Sequence, residues 1–131
     1  MTTVHAPRPL YNALATRISS QTSKPVGDAV RPPNASPPYS VLYPLPDRDT
    51  QGSLSDPNQI SRQLFQVTCV GASMDAAQEL QFDVRTALLG HQPVVTGWDT
   101  GPIELDFGSG VLRDDDGPVF YSTDRFLVYV S

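Results

Sequence analysis

Residues 62–90, RQLFQVTCVGASMDAAQELQFDVRTALLG, decide the fold, because a strand pattern passes directly into a helix pattern within them. Phe65, Val67 and Cys69 alternate with polar residues, which is the period of a β-strand with one buried face. After Ser73 the apolar residues recur every three or four positions, which is the period of an amphipathic helix. The stretch therefore predicts a strand that leads directly into a helix, with each element burying one face.

The helix expected over residues 73–89 carries signals at both ends. Ser73 is a favoured N-cap residue, and Asp75 lies in the first turn, where the helix dipole favours acid. Gly90 suits a left-handed C-cap, and Pro93 follows shortly after it. The apolar stripe of this helix consists of Met74, Ala77, Leu80, Val84 and Leu88.

Further elements are expected on both sides of this stretch. The N-terminal half predicts a helix over 9–20, a Pro-rich extended segment over 24–38 with a short extended piece at 26–30, a strand over 39–45 and a long polar loop over 46–60. The C-terminal part predicts a short strand at Val94, Val95 and Trp98, a strand in which Ile103, Leu105 and Phe107 alternate with acids, and a final strand over 119–130.

This order of elements predicts an α+β fold. We expect a mainly antiparallel β-sheet with two helices packed on one face. A chain of 131 residues suits a single domain spanning 1–131. The expected core is formed by Phe65, Val67, Leu80, Val84, Leu88, Phe126 and Val128.

The charge of the chain argues against several classes of binding protein. The formal net charge is −5 and the pI is about 4.7, and the nine basic residues are scattered singly. Tight nucleic-acid binding and binding to a membrane surface both need clustered Lys and Arg. The sequence shows neither an apolar run of transmembrane length nor a signal-peptide pattern, so we expect an intracellular site of synthesis and no membrane partner.

No motif in the sequence supports catalysis. Cys69 and His91 suggest a nucleophile and a base, but Cys69 lies on the apolar face of a strand, which favours a buried structural thiol. His91 follows the helix C-cap, where a surface cation would suit the dipole. Glu104 and Asp106 are better explained as the solvent face of a strand than as a glycosidase pair. We therefore expect no enzyme activity and no cofactor.

The acidic run Asp114, Asp115 and Asp116 favours a solvated turn before the last strand. A calcium-binding loop would need its ligands spread over a longer segment that ends in a bidentate Glu. This spacing is absent, so we expect no metal site.

Three parts of the chain resemble the tail terminator, or tail completion, proteins of long-tailed bacteriophages. These are the strand-to-helix segment 66–90, the early strand at 38–43 and the final strand at 120–130. With the N-terminal helix in the matching position, the resemblance extends from about residue 9 to residue 130. The Pro-rich stretch 31–46 and the loop 46–60 depart from the compact members of that family.

The resemblance implies a structural protein of the virion, located in the tail at its head-proximal end and assembled in the host bacterial cytoplasm. It implies a homohexameric ring that caps the tail tube, stops its polymerisation and offers a head-joining surface. Its implied partners are copies of itself, the major tail tube protein and a head–tail connector or stopper protein. DNA would pass through the ring without specific binding.

That family has no catalytic residues to carry over, so the candidate assembly or lumen surface is chosen from this sequence alone. The candidates share exposed charge in loops, and they are Asp47, Arg48, Asp49, Asp56, Asp114, Asp115 and Asp116. We expect the loop 46–60 to become ordered against a neighbouring subunit or the tail tube. Two alternatives stay open, a head–tail connector or stopper protein and a small ligand-binding domain with a deep pocket.

Overall fold

A computed structural model of the protein describes residues 7–45, 61–115 and 117–130. These residues form two helices and six strands that belong to one sheet. In chain order the elements are α1 (Pro7–Thr22), β1 (Val26–Asp28), β2 (Tyr39–Leu45), β3 (Ser61–Gly71), α2 (Met74–Leu88), β4 (Glu104–Gly108), β5 (Leu112–Arg113) and β6 (Phe120–Val130).

The sheet is mainly antiparallel and has the order β1-β2-β3-β6-β4, with β5 also paired to β6. Only β1 and β2 run parallel. β3 pairs with the whole length of β6, from Ser61 opposite Val130 to Gly71 opposite Phe120. β4 and β5 must therefore share the other edge of β6, where they follow one another. This arrangement confirms the predicted α+β fold.

The core lies between the two helices and one face of the sheet. Phe65, Val67 and Cys69 of β3 point toward the helices, as the alternating pattern predicts. All seven residues of the predicted core belong to this one cluster. It also includes Leu10, Tyr11, Leu14 and Ile18 of α1, so both helices cover the same face of the sheet.

The beginning of α2 lies unusually close to the sheet. A Cβ atom at Gly71 would collide with the backbone of Ala77, so glycine is required there for the chain to turn from β3 into the helix. Ser73 caps the helix as predicted, because its side chain accepts a hydrogen bond of 3.1 Å from the backbone N–H of Ala76. At the other end Gly90 has a φ of +79°, which is the left-handed conformation predicted for it.

Three predictions about the strands and helices are wrong in detail. Residues 94–99 form no strand, and Val94 is exposed, because its neighbours Pro93 and Gly97 favour turns. Met74 belongs to the first turn of α2 but is about half exposed, since the core begins only at Ala77. The predicted helix 9–20 begins earlier and ends later, at Pro7 and Thr22.

The alternation predicted for Ile103, Leu105 and Phe107 is interrupted by a bulge. Leu105 lies opposite Phe126 and Phe107 lies opposite Arg125, which leaves Asp106 as the extra residue. A bulge turns the following side chains to the other face of the sheet. Leu105 therefore faces the helix side and Phe107 the opposite side, and the expected shared face of Glu104 and Asp106 is not formed.

A polar cluster ties the short strand β1 to α1. The Tyr11 hydroxyl lies 2.5 Å from Oδ1 of Asp28 and 2.8 Å from the carbonyl oxygen of Leu42, and its one proton is shared between these acceptors. Arg8 forms an ion pair of 2.9 Å with Oδ2 of the same aspartate. The hydrogen bonds from Arg8 and Tyr11 lower the pKa of Asp28 below its ordinary value.

Replacement of Leu80 by Ala should destabilise the protein. Leu80 is 3% exposed, and its loss would leave a cavity between α2 and the sheet. We expect the free energy of unfolding in urea to fall by about 2–5 kcal/mol. Gln78→Ala on the exposed side of the same helix is the control, with a change of about 0.5 kcal/mol or less. A loss below about 0.5 kcal/mol for Leu80→Ala would contradict this packing.

Replacement of Asp28 by Asn should make the protein less stable at neutral pH only. Because the folded-state pKa of Asp28 is lowered, its carboxylate stabilises the fold above its ordinary pKa, and this contribution is lost as the pH falls through the folded-state value. Thermal melting of both proteins between pH 7 and pH 2 should show melting temperatures that converge in acid. A difference in melting temperature between the two proteins that stays constant from pH 7 to pH 2 would disprove the ionic contribution of Asp28.

Candidate assembly surface

The face of the sheet opposite the helices carries the most aromatic surface of the chain. Side chains alternate across a strand, so the residues of β2, β3 and β6 that do not contact the helices share this second face. Within the described residues no helix packs on it. We call it the open face. Four of the five tyrosines lie on it, namely Tyr39, Tyr43, Tyr121 and Tyr129.

The strand registers arrange the open face in rows that cross the sheet. Tyr39 lies beside Val70, Tyr121 and Leu112 in the first row, and the next row holds Val41, Thr68 and Thr123. The following rows are Tyr43, Gln66, Arg125 and Phe107, then Leu45, Leu64, Leu127 and Glu104, and finally Arg62 and Tyr129. The first and fourth rows are thus mainly apolar, and the two rows between them carry threonine, glutamine and arginine side chains.

The open face is partly covered by its own side chains and partly accessible. Val41, Val70 and Leu127 are nearly buried among their neighbours, whereas Phe107 is 54% and Tyr129 is 43% exposed. The guanidinium carbon of Arg125 lies 5.8 Å from the centre of the Phe107 ring, which is within cation–π range. Aromatic side chains and arginine are the residues most enriched in protein interfaces.

At its β1 end the open face is bordered by the segment that follows β1. A Cβ atom on Gly27 would collide with the carbonyl oxygen of Val30 and with the Pro32 ring. The segment from Val30 to Pro32 therefore packs directly on the backbone of β1 at Gly27. Val30 itself is exposed. The accessible part of the open face therefore lies toward β6 and β4.

A buried ion pair on the opposite face fixes this part of the sheet to α2. The Asp124 side chain is 2% exposed and accepts two bonds of 2.8 Å from Arg85, one from Nε and one from Nη2. Nε2 of Gln81 donates one hydrogen bond of 3.0 Å to the same carboxylate and another of 2.9 Å to the backbone carbonyl oxygen of Ser109. The hydrogen bond to Asp124 raises the pKa of Arg85 above its ordinary value, so the guanidinium stays charged.

The same cluster determines the shape of the chain between β4 and β5. A Cβ atom at Gly108 would collide with the Arg85 guanidinium and the Asp124 carboxylate, so a side chain at this position would force the ion pair to shift. Two hydrogen bonds join Ser109 to Thr123. The Ser109 N–H donates a bond of 2.8 Å to the Thr123 carbonyl oxygen, and the Ser109 hydroxyl accepts one of 2.9 Å from the Thr123 N–H. The edge that presents Phe107 and Leu112 is thereby fixed in place.

Few of the candidate charged residues can be located. Asp47, Arg48, Asp49, Asp56 and Asp116 lie outside the described residues, as does the loop 46–60 whose ordering was predicted. Asp114 and Asp115 form the predicted turn before β6, where the Asp114 N–H donates 2.9 Å to the carbonyl of Val119. Of the seven candidates, the structure therefore describes only Asp114 and Asp115.

The thiol of Cys69 and the imidazole of His91 have different environments in the structure. Cys69 is 1% exposed within the core, and burial raises its pKa to about 12, so the thiol is inert at neutral pH. Burial and then the nearby Arg17 lower the pKa of His91. Arg17 instead supplies the cation at the end of α2, where its Nε donates 3.0 Å to the carbonyl of Ala87.

A groove of about 480 Å³ between α1 and the segment that follows α2 is shallow and does not have the character of a ligand pocket. It is bordered by small and polar side chains of α1 and by His91 and Val94. Among the described residues no three His, Cys, Asp or Glu side chains lie close enough to share a metal ion. No described helix is long and apolar enough to cross a membrane.

No protein-family model and no curated protein matches this chain. Among solved structures, a chain from the virion of a native gene transfer agent (GTA) particle superposes with a TM-score of 0.77 at 18% identity. The match covers 98% of each chain. A second solved chain has a TM-score of 0.66 at 16% identity and covers 95% of this chain and 92% of its own. Identities this low show a shared fold, and here the fold is shared over almost the whole length.

Replacement of Arg85 by Ala should destabilise the protein by about 3 kcal/mol. This value is at the lower end of the range for breaking a buried ion pair, because the Arg85 side chain is 34% exposed. The remaining Asp124 carboxylate would be buried without its cation. The double variant Arg85→Met with Asp124→Leu removes both charges and should recover most of the loss. Urea denaturation of the two variants measures this. Equal destabilisation in the single and double variants would show that lost packing, not the uncompensated charge, is the cause.

Proposed function

We propose that this protein is a tail terminator, a structural protein of a phage-like virion that forms a ring on the finished tail tube. The observation that carries the proposal is the likeness to a chain of a gene transfer agent virion, which spans 98% of both chains. A likeness of this extent leaves almost no part of either chain outside the shared fold. The sequence motifs at 66–90 and 120–130 favour the terminator among virion proteins.

The proposed activity follows from the geometry of tail growth. Tube subunits polymerise because each ring presents a surface that fits the next ring, a contact that does not close along the axis. Growth stops when a ring binds the tube on one side and presents different chemistry on the other. A domain that presents chemically different surfaces on its different sides can supply both contacts when it forms a ring. A ring of such domains can therefore act as a cap.

In this proposal six copies form the ring at the head-proximal end of the tail. One side of the ring contacts the major tail tube protein, and the other side offers a surface for the head–tail connector or stopper. The protein acts stoichiometrically and not as an enzyme. DNA passes through the ring without specific binding, which suits a chain of net charge −5.

We further propose that the acidic turn before β6 faces the channel or its rim. A lining that attracted phosphates would slow the passage of DNA, so acidic residues suit a channel wall. Asp115 is exposed and Asp114 is partly exposed in this turn. Cryo-electron microscopy of the ring tests the proposal directly, and a turn found on the outer wall would refute it.

Deletion of the gene for this protein from the genome that encodes the phage-like particle tests the main proposal. We expect filled heads and separate tails that fail to join, with some tails longer than normal, because nothing then stops the tube. Electron microscopy of the lysate gives both readouts. Complementation with the wild-type gene is the control.

Two other outcomes would contradict the terminator. Tails of normal length that still join heads would show that the protein is not needed to end the tube. Heads that lose their contents beside normally terminated tails would indicate a connector or stopper instead. Native mass spectrometry of the purified protein adds an independent measurement, with six copies expected for the terminator.

A further inference from the structure

The exposed side of α2 has a chemistry opposite to that of the open face. Asp75, Glu79, Phe82 and Thr86 recur every three or four residues on the side of the helix that does not contact the sheet, and Asp83 flanks them. We call these five residues the acidic stripe. Phe82, in the middle of the stripe, is 69% exposed, so its ring is accessible for a contact with another protein surface.

The acids of the stripe are only partly balanced within the molecule. Lys24 borders a cleft together with Glu79 and Asp83, and it is one cation beside several acids. The exposed part of the open face carries Arg125, and Glu104, the acid in the rows described above, lies in the next row. One copy of the protein therefore presents an acidic surface around a phenylalanine and, on the open face, an exposed arginine among aromatic rings.

We propose that the open face of one copy binds the acidic stripe of a second copy. Arg125 would face Glu79 and Asp83, and Phe82 would pack against Phe107, which lies beside Arg125 in the same row. Opposite charges steer such a contact and exclude wrong partners, while the buried aromatic ring supplies most of the affinity. Like charges would oppose sheet-to-sheet and helix-to-helix pairing, so the contact specifies its own polarity.

The sizes of the two surfaces also match. α2 has 15 residues, which span roughly 22 Å at the rise of an α-helix. The rows of the open face from Tyr121 to Tyr129 extend over roughly 26 Å at the rise of a strand. A helix can therefore lie along the open face without leaving much of either surface uncovered.

The two surfaces lie on opposite sides of one sandwich, and this determines the assembly. A contact between the open face of one copy and the acidic stripe of the next joins unlike surfaces and is therefore heterologous. Such a contact generates a ring when the rotation between successive copies adds up to a full turn. This inference rests on the proposed function, since it assigns the subunit contact of the proposed ring. Sheet and helices would then alternate around the circumference, and the ends of the strands would be left for the tube and the connector.

Charge reversal in the purified full-length protein tests the contact. Arg125→Glu alters the open face, and Glu79→Lys combined with Asp83→Lys alters the stripe. Each variant should associate at least about tenfold more weakly than the wild type, as measured by sedimentation and native mass spectrometry. Asn12→Lys, an exposed change on α1 outside both surfaces, is the control and should leave association unchanged. Circular dichroism and thermal melting verify that every variant is folded.

Mixing the two variants gives a sharper result. In a ring where they alternate, each altered open face meets an altered stripe, and each unaltered open face meets an unaltered stripe. Every contact is then complementary, so an equimolar mixture should form rings although neither variant does alone. This rescue requires an even number of subunits and a contact between unlike surfaces.

Three outcomes would overturn the inference. Rings that persist in both variants would show that the subunits contact each other elsewhere, and the gene deletion would still decide the proposed function. Failure of the mixture to assemble would exclude the pairing of these two surfaces. A wild-type protein that stays monomeric at all concentrations would exclude the self-contact, again leaving the deletion phenotype to judge the terminator.

Discussion

The rest of the structure depends on one buried carboxylate. Asp124 lies in the middle of the last strand and points toward the helices, where an unpaired charge would be strongly unfavourable. Its partner Arg85 comes from α2, and Gln81 joins the same carboxylate to the backbone at Ser109. The helix, the central strand and the sheet edge are thus held by one group, and the close approach explains why glycine stands at 108.

This constraint links the two surfaces that we propose to meet between copies. Arg85 belongs to the helix that carries Phe82 and its acids, and Asp124 is the neighbour of Arg125 in β6. Because Asp124 points inward, strand alternation directs Arg125 outward onto the open face. The ion pair therefore fixes the position of one surface relative to the other. A ring needs this rigidity, since small changes in the angle between contacts decide whether a heterologous assembly closes.

The chain also shows how a small domain can present two unlike surfaces. One face of the sheet is covered by both helices and holds the buried core. The other face buries only a few side chains and leaves aromatic rings and arginine accessible. The fold is shared with a virion chain at 18% identity, which means that most surface residues differ between them. Surface chemistry, and not the fold, must therefore carry the choice of partners.

Local patterns in the sequence predict the core elements well. The alternation at Phe65, Val67 and Cys69, the cap at Ser73 and the left-handed Gly90 depend on residues close in the chain, and all were found as predicted. The α+β class and the seven core residues follow from the same periodicities. The predicted strand at 94–98 failed because two valines cannot outweigh the neighbouring proline and glycine.

What only the tertiary structure decided involves residues far apart in the sequence. The pairing of Arg85 with Asp124, the clamp of Tyr11 and Arg8 on Asp28, and the bulge at Asp106 each join separate elements, and no local pattern encodes them. Strand alternation gives two faces but does not say which one the helices cover. The sequence alone therefore determined the elements and their buried residues. Strand order and register determined that four tyrosines, Phe107 and Arg125 share one accessible face, because a surface is formed by neighbours in space.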